Sequence, residues 1–600
     1  MSTAAPEVPA DGPPDTTPVP GTAPAAGPGR LSAVERGLYA AVLLGVLVAG
    51  WMRRWTSDDA FINFRVVENL LAGNGPVFSA GERTEVATSA AWLAVLTLAE
   101  AVVPGDAVAW SSVVLGVAGT ATGVLFAMLG ARRLFAGTAA RLSVPFGAVV
   151  FLALPPTWDF TTSGLETGMS FAWLGTSFWA LVRWTQSGQR SAGRPVWLYV
   201  LLGLGPLVRP DFALIAAILL LWLTLAAVGP WWRRLLGLVA AGLLPVAFQV
   251  FRMGFYGLLV PNTAIAKESS RGLWDRGTTY LLDLVGPHLL WVPGLLLVAM
   301  LVALLPALTW RALEWSLVVA VLVAAAGHAL YVVRVGGDFM HGRLLMPSLF
   351  LLLCPLAAVP LTRARLWVGA GILAATGVWA VVSAAALRTD YEGSISADGI
   401  IADERGFYAA LAGVAHPVTI ADHGGAGVAN YVDRVNRLAA DGEDLVALQV
   451  TPVRPDSELD VLAPSAGGMV FSVGNAGFYG YASDLDVFVL DGLGLTDVVN
   501  SHIEAGPPGR PGHEKIYPSW YLLARYGSPE IAERQFEGLP AVDVMAASRA
   551  ALSCGNLAEL VEATTAPMSW DRFTDNLLGA RDRTSLRIPV DPFAAERAFC

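Results

Sequence analysis

Charge is what this chain most lacks. Asp, Glu, Lys and Arg make up 15% of its 600 residues, against 54% hydrophobic ones, and the mean hydropathy is +0.55. Soluble domains carry about 25% charged residues, so most of this chain is expected to lie in lipid. A basic excess is missing too. The net charge is −10 and the pI near 5.3, which leaves no basic stripe for a nucleic acid and excludes that class of partner. There is no P-loop, no GxGxxG after a strand, no HExxH and no Cys/His metal spacing. An ATP-driven machine is thereby excluded, and a divalent cation is neither required nor excluded. Cysteine is nearly absent. Cys354 lies in an apolar run and reads as inert packing. Cys554 and Cys600 fall in the polar C-terminal part. Outside the cytoplasm they can pair, closing a loop worth about 4 kcal/mol in the chain-entropy model.

Long apolar runs are what the chain does have. Residues 1–30 are Pro, Ala, Gly and Thr with few large apolar groups; such a segment cannot offset its ordering entropy and is expected to be a disordered cytoplasmic tail. Apolar runs follow at about 36–52, 86–103, 107–130, 137–155, 167–184, 196–228, 231–251, 285–307, 310–333, 343–360 and 364–387. A spanning helix needs about 20 such residues. The expectation is a polytopic α-helical membrane domain over 31–387 with about eleven transmembrane helices. The first run is no cleavable signal peptide, because Trp51, Arg53 and Arg54 stand where small residues belong. The 196–228 run is interrupted by "GPLVRPD" and reads as two short segments or one bent one. Twenty tryptophans suit many membrane–water interfaces.

Orientation follows the Lys/Arg bias of short loops. Arg132/Arg133, Arg233/Arg234, Arg311 and Arg363/Arg365 mark cytoplasmic turns. Residues 388–600 and the loops at 54–85, 252–284 and 334–342 then face outward, toward the periplasm. Strict alternation conflicts with this unless the 86–103 run is re-entrant or interfacial. Beyond 388 the composition turns polar. "HPVTIAD", "MVFSV" and "DLDVFVLD" read as strands, and 403–413, 428–440 and 515–526 as helices. An α/β or α+β extracytoplasmic domain of about 210 residues is large enough for its own core.

Charges gather at the outward ends of the spans. "SDDAFINFR" places Asp58, Asp59 and Arg65 at an amphipathic segment after the first run. Helix capping explains two carboxylates there; an interfacial helix at the outer leaflet, where a lipid-linked substrate presents its head group, explains them as well. "TSGLETG" supplies Glu166, "LVRPDF" Arg209 and Asp211, "VPNTAIAKE" Asn262 and Lys267, and "RVGGDFMHGR" Asp338, His341 and Arg343. Charges in spans are costly and are by default paired or functional. Carboxylates and cations around an outward pocket suit transfer from an anionic lipid carrier: cations neutralise a departing phosphate, and a carboxylate takes the acceptor proton or attacks the sugar. His423 and His513 read as structural.

In chain order, "DDAFINFRVVENLLAGNGPVFSAGERTE", "SGLET", "RPD", "PNTAIAK" and "GGDFMHGRLLMP" resemble the outer loops of integral-membrane GT-C glycosyltransferases. "VLDGLGLTD" and "PGHEKIYPSWYLLARYG" resemble the C-terminal part of a narrower actinobacterial branch, the AftB family of terminal β-(1→2)-arabinofuranosyltransferases. The likeness extends over about 55–600. It implies a plasma-membrane enzyme with a decaprenyl-phosphate arabinofuranose donor and a cell-wall arabinan acceptor (arabinogalactan or lipoarabinomannan). It maps Asp58 and Asp59 onto the family's catalytic acidic pair, and our expectation is that Asp59 is the principal catalytic carboxylate, with Asp58 beside it in a supporting or metal-binding role. Arg65, Arg209, Lys267 and Arg343 become donor-phosphate residues, and Glu166, Asp211, Asn262, Asp338 and His341 further substrate-site candidates. The C-terminal part would bind glycan. A β-configured donor and a β-linked product mean net retention, whereas a single displacement with a general base inverts. Neighbouring helix residues point about 100° apart, so two acting carboxylates require a second one from another loop. The alternatives are a transporter or flippase for a polyprenyl-linked sugar, and a GT-C transferase of another sugar such as mannose.

Overall fold

The computed structural model describes residues 30–103, 107–138, 140–187, 196–389, 391–424, 428–449, 459–532 and 540–600; the N-terminal tail lies outside the described residues apart from its last. Ser32 and Glu35 open the helix Ala33–Met52 with a reciprocal capping box, satisfying N–H groups that a helix start leaves open. Glu35 also accepts from the Ser143 N–H at 3.0 Å and pairs with Arg132 at 3.4 Å. Arg132 lies in the last turn of the helix Ala107–Leu134. Trp110, in the first turn of that helix, meets Trp51 at the far end of Ala33–Met52, with ring centroids 6.2 Å apart. The two helices therefore run antiparallel, and everything between them leaves and returns on one side. The helix in that interval, Ala90–Val102, has 13 residues, roughly 20 Å at 1.5 Å per residue, short of a hydrocarbon core of about 30 Å. The 86–103 run does not cross.

Ala107–Leu134 packs on Thr167–Gln186 along a glycine seam. A Cβ on Gly168 would stand 2.2 Å from the Gly116 carbonyl oxygen, and one on Gly123 would stand 2.3 Å from that of Phe171. Small residues allow such approach where lipid competes equally for apolar side chains. Among the described residues, five helices are long and apolar enough to cross a bilayer: Ala33–Met52, Ala107–Leu134, Trp231–Tyr256, Ala312–Arg334 and Leu366–Ala386. Leu236, Val239, Leu243 and Val246 of Trp231–Tyr256 stay exposed, as a lipid-facing surface requires. The 196–228 run is broken into Val196–Gly203, Gly205–Val208 and Phe212–Ala226. Pro210 disfavours helix in the residue before it, and Arg209 is accordingly extended, with φ −153° and ψ 136°.

Two expectations fail here. The 137–155 run is no spanning helix. It forms a strand, Ala140–Val144, paired antiparallel with Val359–Thr362, and then two short helices, Phe146–Leu152 and Pro155–Thr161. Pro145, Pro155 and Pro156 lack the N–H that a continuous helix needs. "HPVTIAD" is no strand either. Asp422 accepts the backbone N–H groups of Val418 and Thr419 and turns the chain into the short helix Ile420–His423.

Arg311 donates to the Thr185 carbonyl and Gln186 to that of Arg133, so Arg132, Arg133 and Arg311 share one end of the bundle. The C-terminal part stands at the opposite end. Its four strands lie in the order Leu459–Pro464, Leu445–Gln449, Val470–Val473, Phe488–Asp491; the first pair is antiparallel and the other two pairs are parallel. Helices Glu404–Ala412, Val428–Ala440 and Ser519–Tyr526 lie where the sequence predicts them. This part does not close its core alone. Trp55, Phe61, Phe64 and Phe78 of the first loop pack with Phe471, Phe478, Tyr479 and Val489 in one cluster. Arg525 adds ion pairs to Glu82 of the loop at 2.7 Å and to Asp497 at 2.6 Å. Cys554 and Cys600 form a disulfide with Cα atoms 5.2 Å apart, and Cys354 is buried and free.

Candidate active site

The helix Asp58–Leu71 begins on the Ser57 hydroxyl, which accepts from the Ala60 N–H. The two aspartates then part company. Asp58 turns into the C-terminal part, where its carboxyl oxygens accept from the Phe478 N–H at 2.8 Å and the Gly477 N–H at 3.2 Å. It thus caps a second helix, Ala476–Ala482, from outside. The approach requires glycine: a Cβ on residue 477 would stand 1.8 Å from the Asp58 carbonyl oxygen. Burial pushes the Asp58 carboxyl up to about 7, with the Asp59 charge adding to the rise and the two N–H groups opposing it. Each Asp58 oxygen thus accepts one backbone N–H, while the residue still borders the larger of the two cavities described below. Among the described residues no group of three or more His, Cys, Asp or Glu side chains is placed to hold a metal ion.

Asp59 keeps its side chain 22% exposed, 3.6 Å from Arg343, on the shared wall of two cavities. The smaller, about 250 Å³, is lined by Glu166, Arg209, Asp211, Lys267, Arg276 and Arg343, with Ile62, Leu165 and Val332 among its apolar walls. Each cation but one is already held. Arg209, in the break of the 196–228 run, bridges Glu166 at 2.7 Å and Asp211 at 3.0 Å, and Asp211 reaches His328 at 2.8 Å. Arg276 pairs with Glu514. Arg343 pairs with Asp338 at 2.8 Å, delivered by the Gly336–Gly337 turn, whose φ values of 90° and 74° are ones that glycine takes without strain. Lys267 has no carboxylate partner among the described residues. Its Nζ stands 5.8 Å from the centre of the Phe339 ring.

The larger cavity, about 650 Å³, opens from the same Asp59 and Lys267 under the C-terminal part. Phe339 floors it, flanked by Arg510 at 4.8 Å and His513 at 5.3 Å. Tyr408 and Asn475, joined by a 2.9 Å hydrogen bond, form another wall with Gln449 and Glu404. Burial, with the nearby Arg510, holds His513 down to about 4, so the ring is neutral at physiological pH.

Asp59, Glu166, Arg209, Asp211, Lys267, Asp338 and Arg343 are thus brought together around the smaller cavity, and Asp58 joins Asp59 in the lining of the larger one. Three predicted residues are not. The Arg65 guanidinium is fully buried and donates to the carbonyls of Phe78, Gly480, Ser483, Asp484 and Val487. It fastens the first loop to the C-terminal part and reaches neither cavity. Asn262 is likewise used up: it donates to the Gly494 and Leu495 carbonyls and accepts from Ser501. His341 pairs with Asp283 at 2.5 Å and His288 at 3.0 Å and faces a separate narrow crevice. Sequence reasoning missed Glu404, Tyr408, Gln449, Asn475 and Arg510 and took His513 as structural. Glu404 in "ADERGFY" looks like an ordinary acidic first turn, and none of the five belongs to a motif with a recognisable spacing.

A family model described as the AftB family C-terminal domain matches residues 454–595. The terminal beta-(1->2)-arabinofuranosyltransferase of Mycobacterium tuberculosis H37Rv is 34% identical, over 92% of this chain and 95% of its own length. The protein of the same name from Corynebacterium glutamicum is 33% identical, over 91% of this chain and 84% of its own length. Among solved structures, that of ArnT from Cupriavidus metallidurans bound to undecaprenyl phosphate is 16% identical. It aligns with a TM-score of 0.39 over 94% of this chain and 91% of that one.

Proposed function

Because the chain belongs to the family of terminal β-(1→2)-arabinofuranosyltransferases, we propose that it transfers arabinofuranose from decaprenyl-phosphate arabinofuranose to the termini of cell-wall arabinan, forming β-(1→2) linkages. The observation that carries this reading is the position of Asp59, on the wall shared by a cation-lined cavity among the apolar helices and a larger polar and aromatic one under the C-terminal part. The first suits an anionic lipid carrier: a guanidinium or ammonium close to the leaving phosphate stabilises charge as it develops. The second suits a glycan, with Phe339 and Tyr408 offering faces and Asn475 a polar edge. The arginines at the far end of the bundle support placing both cavities on the outer, periplasmic side.

In the transfer, the bond from the anomeric carbon to the phosphate oxygen breaks and its electrons stay on the phosphate. A bond forms to the oxygen of the acceptor 2-hydroxyl, and Asp59 takes the proton that this hydroxyl loses. A β-configured donor requires net retention, which a single back-side displacement does not deliver. Two routes satisfy it: Asp59 first attacks the anomeric carbon, or the acceptor enters on the face that the phosphate leaves.

The test uses purified protein, polyprenyl-phosphate arabinofuranose and a defined arabinan. Linkage analysis is expected to find new terminal β-(1→2)-arabinofuranose. Activity with a mannosyl carrier but not the arabinosyl one would replace the substrate, and donor movement across a vesicle without glycosidic product would favour a flippase.

Lys267 supplies a second expected outcome. It is the cation that both cavities share and that no carboxylate neutralises among the described residues, so its charge is free for the donor phosphate. Lys267→Ala is expected to lower kcat/KM for the donor by about 30-fold, in line with loss of a charge-assisted hydrogen bond, and Lys267→Arg to recover part of it. Initial rates at varied donor concentration read this out; an unchanged KM and kcat would remove Lys267 from the donor site.

A further inference from the structure

One buried carboxyl group lies between the larger cavity and the narrow crevice, lining both, with one oxygen left without a partner among the described residues. Glu404 opens the helix Glu404–Ala412 but does not cap it, because Asp403 accepts the Gly406 N–H. Glu404 is 5% exposed, and its Oε2 meets no hydrogen-bonding partner among the described residues. The charged groups that face it are Asp59 and Asp58 of the helix Asp58–Leu71, together with Arg343 and Arg510. Burial and then the Asp59 charge hold its carboxyl well above the ordinary carboxylate range, against Arg343. A neutral carboxyl group has one O–H to donate as well as oxygens to accept. Buried polar atoms are rarely left without a partner, and a hydroxyl in the cavity would supply one.

We propose that Glu404 is a further substrate-contacting residue of the transfer site: its carboxyl group hydrogen-bonds a hydroxyl of the acceptor sugar and holds that sugar against Asp59. The inference rests on the larger cavity being the acceptor side of the proposed arabinofuranosyl transfer. It also supplies a second carboxyl group from a separate element, whereas Asp58 lies on the same helix as Asp59 and has its oxygens engaged by the Gly477 and Phe478 N–H groups.

The test compares full-length wild type, Glu404→Gln and Glu404→Leu in transfer from polyprenyl-phosphate arabinofuranose to an arabinofuranosyl oligosaccharide. Leucine offers no hydrogen bond, so kcat/KM for the acceptor is expected to fall about tenfold or more while KM for the donor stays within about twofold. Glutamine both donates and accepts, as the neutral acid does, and is expected to return to within about threefold of wild type. Calorimetric binding of the same oligosaccharide, without donor, follows the same order. A residue with a merely structural role would shift both substrates and the melting temperature together. If the leucine variant does not fold, Glu404→Ala takes its place. Wild-type acceptor kinetics and affinity in the leucine variant overturn the proposal, and so does a glutamine variant as poor as leucine. If the wild type transfers no arabinofuranose, the functional reading fails separately. The binding series alone then decides for or against Glu404, equal affinities counting against it.

Discussion

Asp59→Asn is expected to reduce arabinofuranosyl transfer by roughly a thousandfold, a loss in the range for removal of a general base, with donor affinity changed far less. Asparagine keeps the shape of the side chain but takes up no proton and gives up the negative charge 3.6 Å from Arg343. The loss should therefore appear in kcat, measured with saturating labelled lipid donor in membranes or detergent. Transfer near the wild-type rate would remove Asp59 from the chemistry. Asp58→Asn separates the two aspartates. It alters a cap on the Ala476–Ala482 helix, so its main effect falls on folding, as a lower melting temperature.

Arg65→Met carries the largest expected cost in stability, about 4 kcal/mol or more. The guanidinium serves five backbone carbonyls, and a buried acceptor left without its donor costs about 1–3 kcal/mol. Methionine fills much of the volume and donates nothing. Four of those carbonyls belong to the C-terminal part, at Gly480, Ser483, Asp484 and Val487. The substitution should thus loosen the first loop from the rest and expose it to protease before the membrane helices unfold. A fall of about 10 °C in the apparent melting temperature is expected. A shift of no more than about two degrees would mean that water replaces the guanidinium without loss.

Arg65 also shows where sequence reading stops. An arginine seven residues after a paired aspartate in an outer loop has the look of a phosphate ligand, and nothing local distinguishes that use from a structural one. Its acceptors lie as far as 422 residues away. Asn262 fails for the same reason, because its partners come from 494–501. The 137–155 run was misread because hydropathy counts apolar residues without regard to the prolines that deny them a continuous helix. Arg209 and Asp211 were legible because the cause is local: Pro210 forces the break, and the two charges on either side of it pair with each other.

By itself the sequence marked a chain with several apolar helices fit to cross a membrane and charged motifs that the fold gathers around one pocket, and the likeness of those motifs, in order, pointed to the arabinofuranosyltransferase family. The first two follow from composition and position, which are properties of short stretches; the third follows from resemblance. Only the tertiary structure decided what separates Asp58 from Asp59. Successive helix residues point about 100° apart, so one carboxylate met backbone N–H groups 419 and 420 residues away at the edge of the larger cavity and the other met the space between both cavities. Their roles depend on which distant segments the fold brings to each side, and no local pattern records that.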